Sequence, residues 1–148
     1  MTMFKSRGLA VVVVLAVAAA ARSDSPKSDA KADNKLVGTW KLVSAKYGGQ
    51  DFKFPEGSVH IKHVTPTQFM WATYDKDGTV NRAAGGSYTL DGDSYVETPE
   101  YGLSEDFQII KGKAQSFKWK VDGDKWYHTG KLSNGLEIDE VWQRVDKK

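Results

Sequence analysis

The sequence predicts an all-β domain, an eight-stranded antiparallel up-and-down (meander) β-barrel. Three observations carry that prediction. From Leu36 onward, apolar and polar residues alternate with a period of two, as in half-buried strands. Turn chemistry interrupts the alternation about every 8 to 12 residues, the spacing of an all-β fold. No apolar stripe of helical period runs longer than two turns. A meander of eight strands leaves two exposed edges, and closure into a barrel removes them; an open sandwich is the runner-up.

The first strand is expected at Val37–Tyr47 and ends at Gly48-Gly49. The second, Ser58–Val64, is stopped by Thr65-Pro66, and the third, Gln68–Tyr74, by Asp75-Lys76-Asp77-Gly78. Gly86–Leu90 and Ser94–Tyr101 flank Asp91-Gly92. Ser116–Val121 and Lys125–Lys131 flank Asp122-Gly123, and Leu136–Val145 follows Asn134-Gly135. Asp-Gly and Asn-Gly between β-rich runs signal tight hairpins, because a type I′ turn needs positive φ at both central residues. Gly102 to Gln115 fits least well; Phe107-Gln108-Ile109-Ile110 reads as a short strand or the inside of a loop.

Parity assigns faces. Phe117, Trp119 and Val121 alternate with Lys118 and Lys120, so the aromatic side points inward. A two-residue turn after Val121 places Trp126 and His128 on that inner face; a three-residue loop would bring in Tyr127 instead. Tyr88 and Leu90 share a face with Tyr95 and Glu97. Ile138, Glu140, Trp142 and Arg144 form one face of the last strand. A three-residue loop Ser133-Asn134-Gly135 aligns that face with Trp126 and His128, whereas a two-residue turn flips it.

Charge and composition exclude several function classes. The chain has 148 residues and a formal net charge of +2. Met1–Gly8 carries Lys5 and Arg7 without an acid, Leu9–Ala21 is unbroken apolar sequence, and Ala19-Ala20-Ala21 supplies small residues. Together these describe a secretory signal peptide over residues 1–21. The apolar run would make a helix of about 20 Å, too short for a hydrocarbon core of about 30 Å. Residues 22–35 read as a flexible polar linker. Without Lys5 and Arg7, the 21 basic residues fall to 19, matching 19 acidic ones. The domain expected at 36–148 is thus near neutral, with no electrostatic footprint for nucleic acid or an anionic membrane. With no cysteine, there is no lipidation site, disulfide or thiolate metal site. The expected location is secreted or periplasmic, without stable membrane insertion after cleavage.

Little in the sequence points to catalysis. His60 and His63, three apart on a strand, point to opposite faces and cannot share a metal, and His128 is alone. Asp75-Lys76-Asp77-Gly78 has its Gly too early for a calcium loop, and no Glu stands at that loop's twelfth position, Gly86. Glu97 and Glu140 are inward carboxylates; Glu140 reads as an ion pair with Arg144 or Lys131 more readily than as a general acid. Ser104 and Ser116 lack a partner His or Asp at instructive spacing, and no nucleophile elbow, P-loop or dinucleotide fingerprint occurs. No metal, no cofactor and no enzymatic activity are expected.

The aromatic residues are the most informative set. Trp71, Tyr88, Tyr95, Phe117, Trp119, Trp126 and Trp142 spread over most strands. They either fill a small barrel or wall a pocket whose polar handles are Tyr88, Tyr95, Tyr127 and His128. Leu36-Val37-Gly38-Thr39-Trp40-Lys41-Leu42-Val43-Ser44 resembles the first strand of lipocalins and fatty-acid-binding proteins, where Gly-x-Trp recurs. Glu140-Val141-Trp142-Gln143-Arg144-Val145 is similar to the last strand of bacterial lipocalin-like domains. The resemblance implies that Trp40, after Gly38, closes one end of the barrel and that Arg144 packs across it. The first connection, Gly48–Gly57, is too short for a two-helix lid, and the Thr-Asp-Tyr motif of typical lipocalins is absent. The function implied is binding of a small apolar or amphipathic molecule inside the barrel by Trp71, Tyr88, Tyr95, Trp119, Trp126, His128 and Glu140. The alternative is a structural or interaction module, an inhibitor or envelope component, with a side-chain-filled barrel and no ligand.

Overall fold

The computed structural model describes residues 34–145. The expected signal peptide, and the expected linker up to residue 33, lie outside the described residues. Strand β1 (Gly38–Tyr47) is followed by a two-residue strand β2 (Gln50–Asp51), β3 (Val59–Val64), β4 (Gln68–Tyr74), β5 (Val80–Asp91) and β6 (Ser94–Gly102). A short helix α1 (Glu105–Ile110) precedes β7 (Gln115–Asp122), β8 (Lys125–Lys131) and β9 (Glu137–Arg144). Each strand from β3 onward pairs antiparallel with its sequence neighbour, and β1 pairs with both β3 and β9. The result is a closed eight-stranded barrel. β2 is a hairpin extension beside the far end of β1, beyond its pairing with β3.

Three local features differ from the sequence expectation. β5 begins at Val80, not Gly86: Asn81 and Arg82 are polar, and Gly85-Gly86 looks like a break. That glycine pair instead sits at a β-bulge, where the register against β6 shifts. Residues 105–110 are helical rather than strand or loop, with the buried Phe107 packed beneath Gly102. The Asp-Gly hairpins turn one residue later than expected. Asp91 pairs with Ser94 and Asp122 with Lys125, so the central residues are Gly92-Asp93 and Gly123-Asp124. Only the glycines have positive φ, 57° and 60°, which is the type II′ pattern. A shift of one in the turn moves the register by two and leaves face parity intact. Val121 therefore pairs with Trp126 and Trp119 with His128, so Tyr127 faces outward.

The last hairpin resolves as well. Leu132 N–H donates to the Leu136 carbonyl across the loop Ser133-Asn134-Gly135. Trp126 pairs with Trp142 and His128 with Glu140, so the inner faces align. The strand directions give the barrel two ends. At one end lie residues 34–37 and the β3–β4, β5–β6 and β7–β8 turns. At the other lie the β1–β3, β4–β5, β6–β7 and β8–β9 connections.

Candidate functional site

The first of these ends is plugged. Trp40 is fully buried and its indole N–H donates to the Leu36 carbonyl at 2.7 Å. The Arg144 guanidinium carbon lies 4.0 Å from the Trp40 ring centre, the geometry of a cation–π contact. Its Nη1 donates to the Val37 carbonyl at 3.0 Å and its Nη2 to that of Lys35 at 2.6 Å. The guanidinium thus ties down the chain entering β1. Gly38 makes room for it: its φ is 143°, and a Cβ there would stand 2.6 Å from Arg144 Nη1. Tyr88 reinforces this end, donating to the Thr65 carbonyl at 2.6 Å and accepting from Asn34 Nδ2 at 2.7 Å. Trp119 is half-buried, beside an outer depression of about 390 Å³ that also touches Lys35, Asp93 and Lys120.

Above the plug the interior is packed. Tyr95, Phe69 and Trp126 are buried, with Tyr95 edge-on to Trp126 at 5.6 Å and Trp126 stacked on Trp142 at 5.9 Å. Among them runs Lys62, only 2% exposed, paired with the buried Glu97. The Tyr95 hydroxyl donates to the same Glu97 oxygen at 2.6 Å. A buried charge pair is tolerated only when further hydrogen bonds satisfy it, and Tyr95 provides one.

Nearer the loop end is a second polar cluster. Glu140 Oε2 lies 2.9 Å from His128 Nδ1 and accepts from the Trp142 indole N–H at 3.0 Å. The Tyr47 hydroxyl donates to Glu140 Oε1 at 2.9 Å. Burial would raise the Glu140 pKa. The hydrogen bond and charge of His128, the charge of Lys62 and the Tyr47 hydroxyl outweigh it and hold the carboxyl at about 2. Tyr47 is pushed the other way, upward, by burial and by the Glu140 charge. His60 stands between Trp71 and Trp142, with ring centres 5.2 and 5.4 Å away. Burial lowers its pKa to about 4, with Lys62 and Arg82 adding to the effect and Glu140 opposing it. Phe52 and Phe54, from the connection to β3, stack edge-on at 5.1 Å, and Phe52 meets Tyr47 at 5.2 Å.

The structure therefore divides the residues singled out in the sequence. Trp71 and Glu140 lie toward the loop end, Tyr95, Trp126 and His128 in the middle, and Tyr88 and Trp119 toward the plugged end. Glu140 is partnered by His128 and Tyr47, not by Arg144 or Lys131. Arg144 is four residues away, about 13 Å along a strand, and Lys131 pairs with Glu137 instead. His63 faces outward and meets the Thr39 hydroxyl at 3.0 Å. Sequence reasoning missed Lys62, His60 and Tyr47 as inner residues. In Val59–Val64 the apolar residues Val59 and Ile61 suggest the opposite face. The available signal was register: Lys62 pairs with both Trp40 and Trp71.

Two surface depressions lie outside the barrel core. The larger, about 480 Å³, is on the outer wall beside Lys46, Thr129, Lys131 and Asp139. Among the described residues no group of three or more His, Asp or Glu could hold a metal ion.

A family model described as a lipocalin-like domain matches residues 36–142. No curated protein matches the sequence. Among solved structures, a redesigned β-barrel is similar at 18% identity and a TM-score of 0.48, over 75% of this chain and 92% of that one. A de novo designed fluorescence-activating β-barrel is 16% identical with a TM-score of 0.44, over 74% of this chain and 93% of that one. A fatty acid transporter is 12% identical with a TM-score of 0.43, over 78% of this chain and all of that one.

Proposed function

Because the chain belongs to the lipocalin-like domain family, we propose that it is a binding barrel, not an enzyme, and that it takes a small amphipathic molecule at its loop end. The observation that carries this reading is the asymmetry of the two ends. Trp40, Arg144 and Tyr88 shut one end with hydrogen bonds to backbone carbonyls. At the other, half-buried Trp71, Tyr47 and Phe54 pack against the core beside the polar atoms of His60, His128 and Glu140. Apolar walls with a few placed polar groups are how small-molecule sites are built. Each square ångström of ligand surface buried there contributes about 25 cal/mol, and the polar groups set orientation.

The test is titration with an amphipathic fluorescent probe, anilinonaphthalene sulfonate, with intrinsic tryptophan emission as a second readout. Saturable one-to-one binding, weakened about tenfold (1.4 kcal/mol) by Trp71→Ala and unchanged by Trp119→Ala, is the expected result. No saturable binding, together with a bare mass in native mass spectrometry of protein purified from its host, would overturn it. A second reading, a surface-acting module with a filled barrel, is favoured by the buried Trp40, Tyr95, Trp126, Phe69 and Lys62 that occupy the interior. It stands if the titration is blank.

Export is part of the same proposal. It rests on Lys5, Arg7 and the apolar run Leu9–Ala21. Cell fractionation with N-terminal sequencing should find a mature chain lacking residues 1–21 outside the cytoplasm; a cytoplasmic chain beginning at Met1 would refute it.

A further inference from the structure

Four strands converge on one nitrogen. The ammonium of Lys62, from β3, lies 5.2 Å from the ring centre of Phe69 in β4 and 5.5 Å from that of Tyr95 in β6. It is 5.0 Å from Trp126 in β8 and 5.5 Å from Trp142 in β9. The Glu97 carboxylate pairs with it and is itself held by the Tyr95 hydroxyl. A cation within about 6 Å of an aromatic face is attracted by the ring quadrupole, and rings set around a point make a cage that recognises ammonium groups. An ion pair alone needs no such cage.

We propose that the centre of the barrel is an ammonium-recognition site, formed by Phe69, Tyr95, Trp126, Trp142 and Glu97, which the chain fills with its own Lys62. The ligand class is a primary alkylammonium, and the lysine stem is the built-in occupant. Two consequences follow. With Lys62 in place the cage is shut to outside cations, so a molecule bound at the loop end rests above this ammonium and does not pass it. With the stem removed, the cage accepts a small amine from solution. This inference does not depend on the loop-end reading, since it concerns a different set of rings and is read with a different probe.

The test uses Lys62→Ala, which deletes three carbons and the nitrogen, the outline of n-propylammonium. Thermal midpoint and tryptophan emission are followed against propylammonium chloride, with 1-propanol at matched potassium chloride as the neutral isostere. The expected result is saturable stabilisation of Lys62→Ala by the amine, with an apparent Kd at least about tenfold below that for the alcohol. The unsubstituted protein should not respond, and Lys62→Ala with Glu97→Gln should lose the preference for amine over alcohol. If Lys62→Ala does not fold alone, refolding yield replaces the midpoint, and amine-dependent folding supports the proposal. Equal rescue by 1-propanol, rescue by neither, or a Lys62→Met variant as stable as the original would each overturn it.

Discussion

Trp40 and Arg144 act as one device, because the guanidinium that covers the indole also holds the carbonyls of Lys35 and Val37. Trp40→Ala should cost about 3–5 kcal/mol in chemical denaturation, the range for a buried aromatic; a loss under about 1 kcal/mol would mean that Trp40 is not the plug. Arg144→Lys keeps the charge and loses the fork, so most of the end's stability should go with it. His60 makes stability depend on pH. Its folded pKa is about 4, below the unfolded 6.5, so the folded state resists protonation. Its contribution is full above pH 6.5 and falls as the pH drops from 6.5 towards 4, by on the order of 2–3 kcal/mol. Glu140, held at about 2, adds a second loss as the pH falls from about 4.5 towards 2. Denaturation across pH 7 to 4 should flatten in His60→Phe, and an unchanged slope would show that His60 is not the titrating group. The plug was legible in Gly38-Thr39-Trp40 and Arg144 through the resemblance of their strands to those of lipocalins. Lys62 was not, because a lysine between Ile61 and His63 reads as solvent-facing until cross-strand register places it beside Trp40 and Trp71.

At the scale of elements, the hairpins were the most readable feature and their turn type the least. Asp-Gly marks a tight turn whether the glycine comes second, as in type I′, or first, as in the type II′ pattern seen at Gly92 and Gly123. A type I′ pattern occurs instead at Gly48-Gly49, where φ is positive at both residues and Tyr47 pairs with Gln50. Gly92→Ala and Gly123→Ala should each destabilise by about 1 kcal/mol or more, since alanine resists positive φ. Asp93→Ala, at a residue with negative φ, should cost less; equal costs at Gly92 and Asp93 would refute the assignment. Helix α1 escaped the sequence reading for a physical reason. Six residues are too few to show helical periodicity, and Phe107 is buried while Ile109 is half exposed.

The whole molecule is closed by a seam between β1 and β9, running from Trp40–Arg144 to Tyr47–Ile138 with one irregularity between Leu42 and Ser44. Its amides should exchange with solvent as slowly as those of β7 and β8, and exchange as fast as at a free sheet edge would contradict closure. The meander order and closed topology were foreseeable from sequence, because strands neighbouring in the chain pair in space and open edges are costly. How the barrel is filled was not, because the cross-strand registers that set Lys62 against four rings are fixed by turn geometry to the residue. The seam also gives the fold a timetable. Its other pairings join strands adjacent along the chain or, for β1 with β3, parted only by the two-residue β2, whereas Arg144 and Val37 are 107 residues apart. Local pairings form early, and the long-range one must wait for loop-closure entropy to be met. A chain leaving a ribosome therefore holds an open sheet with two free edges, β1 and β8, until β9 emerges. The final strand then acts as a latch that ends its exposure to chaperones, proteases and other open sheets.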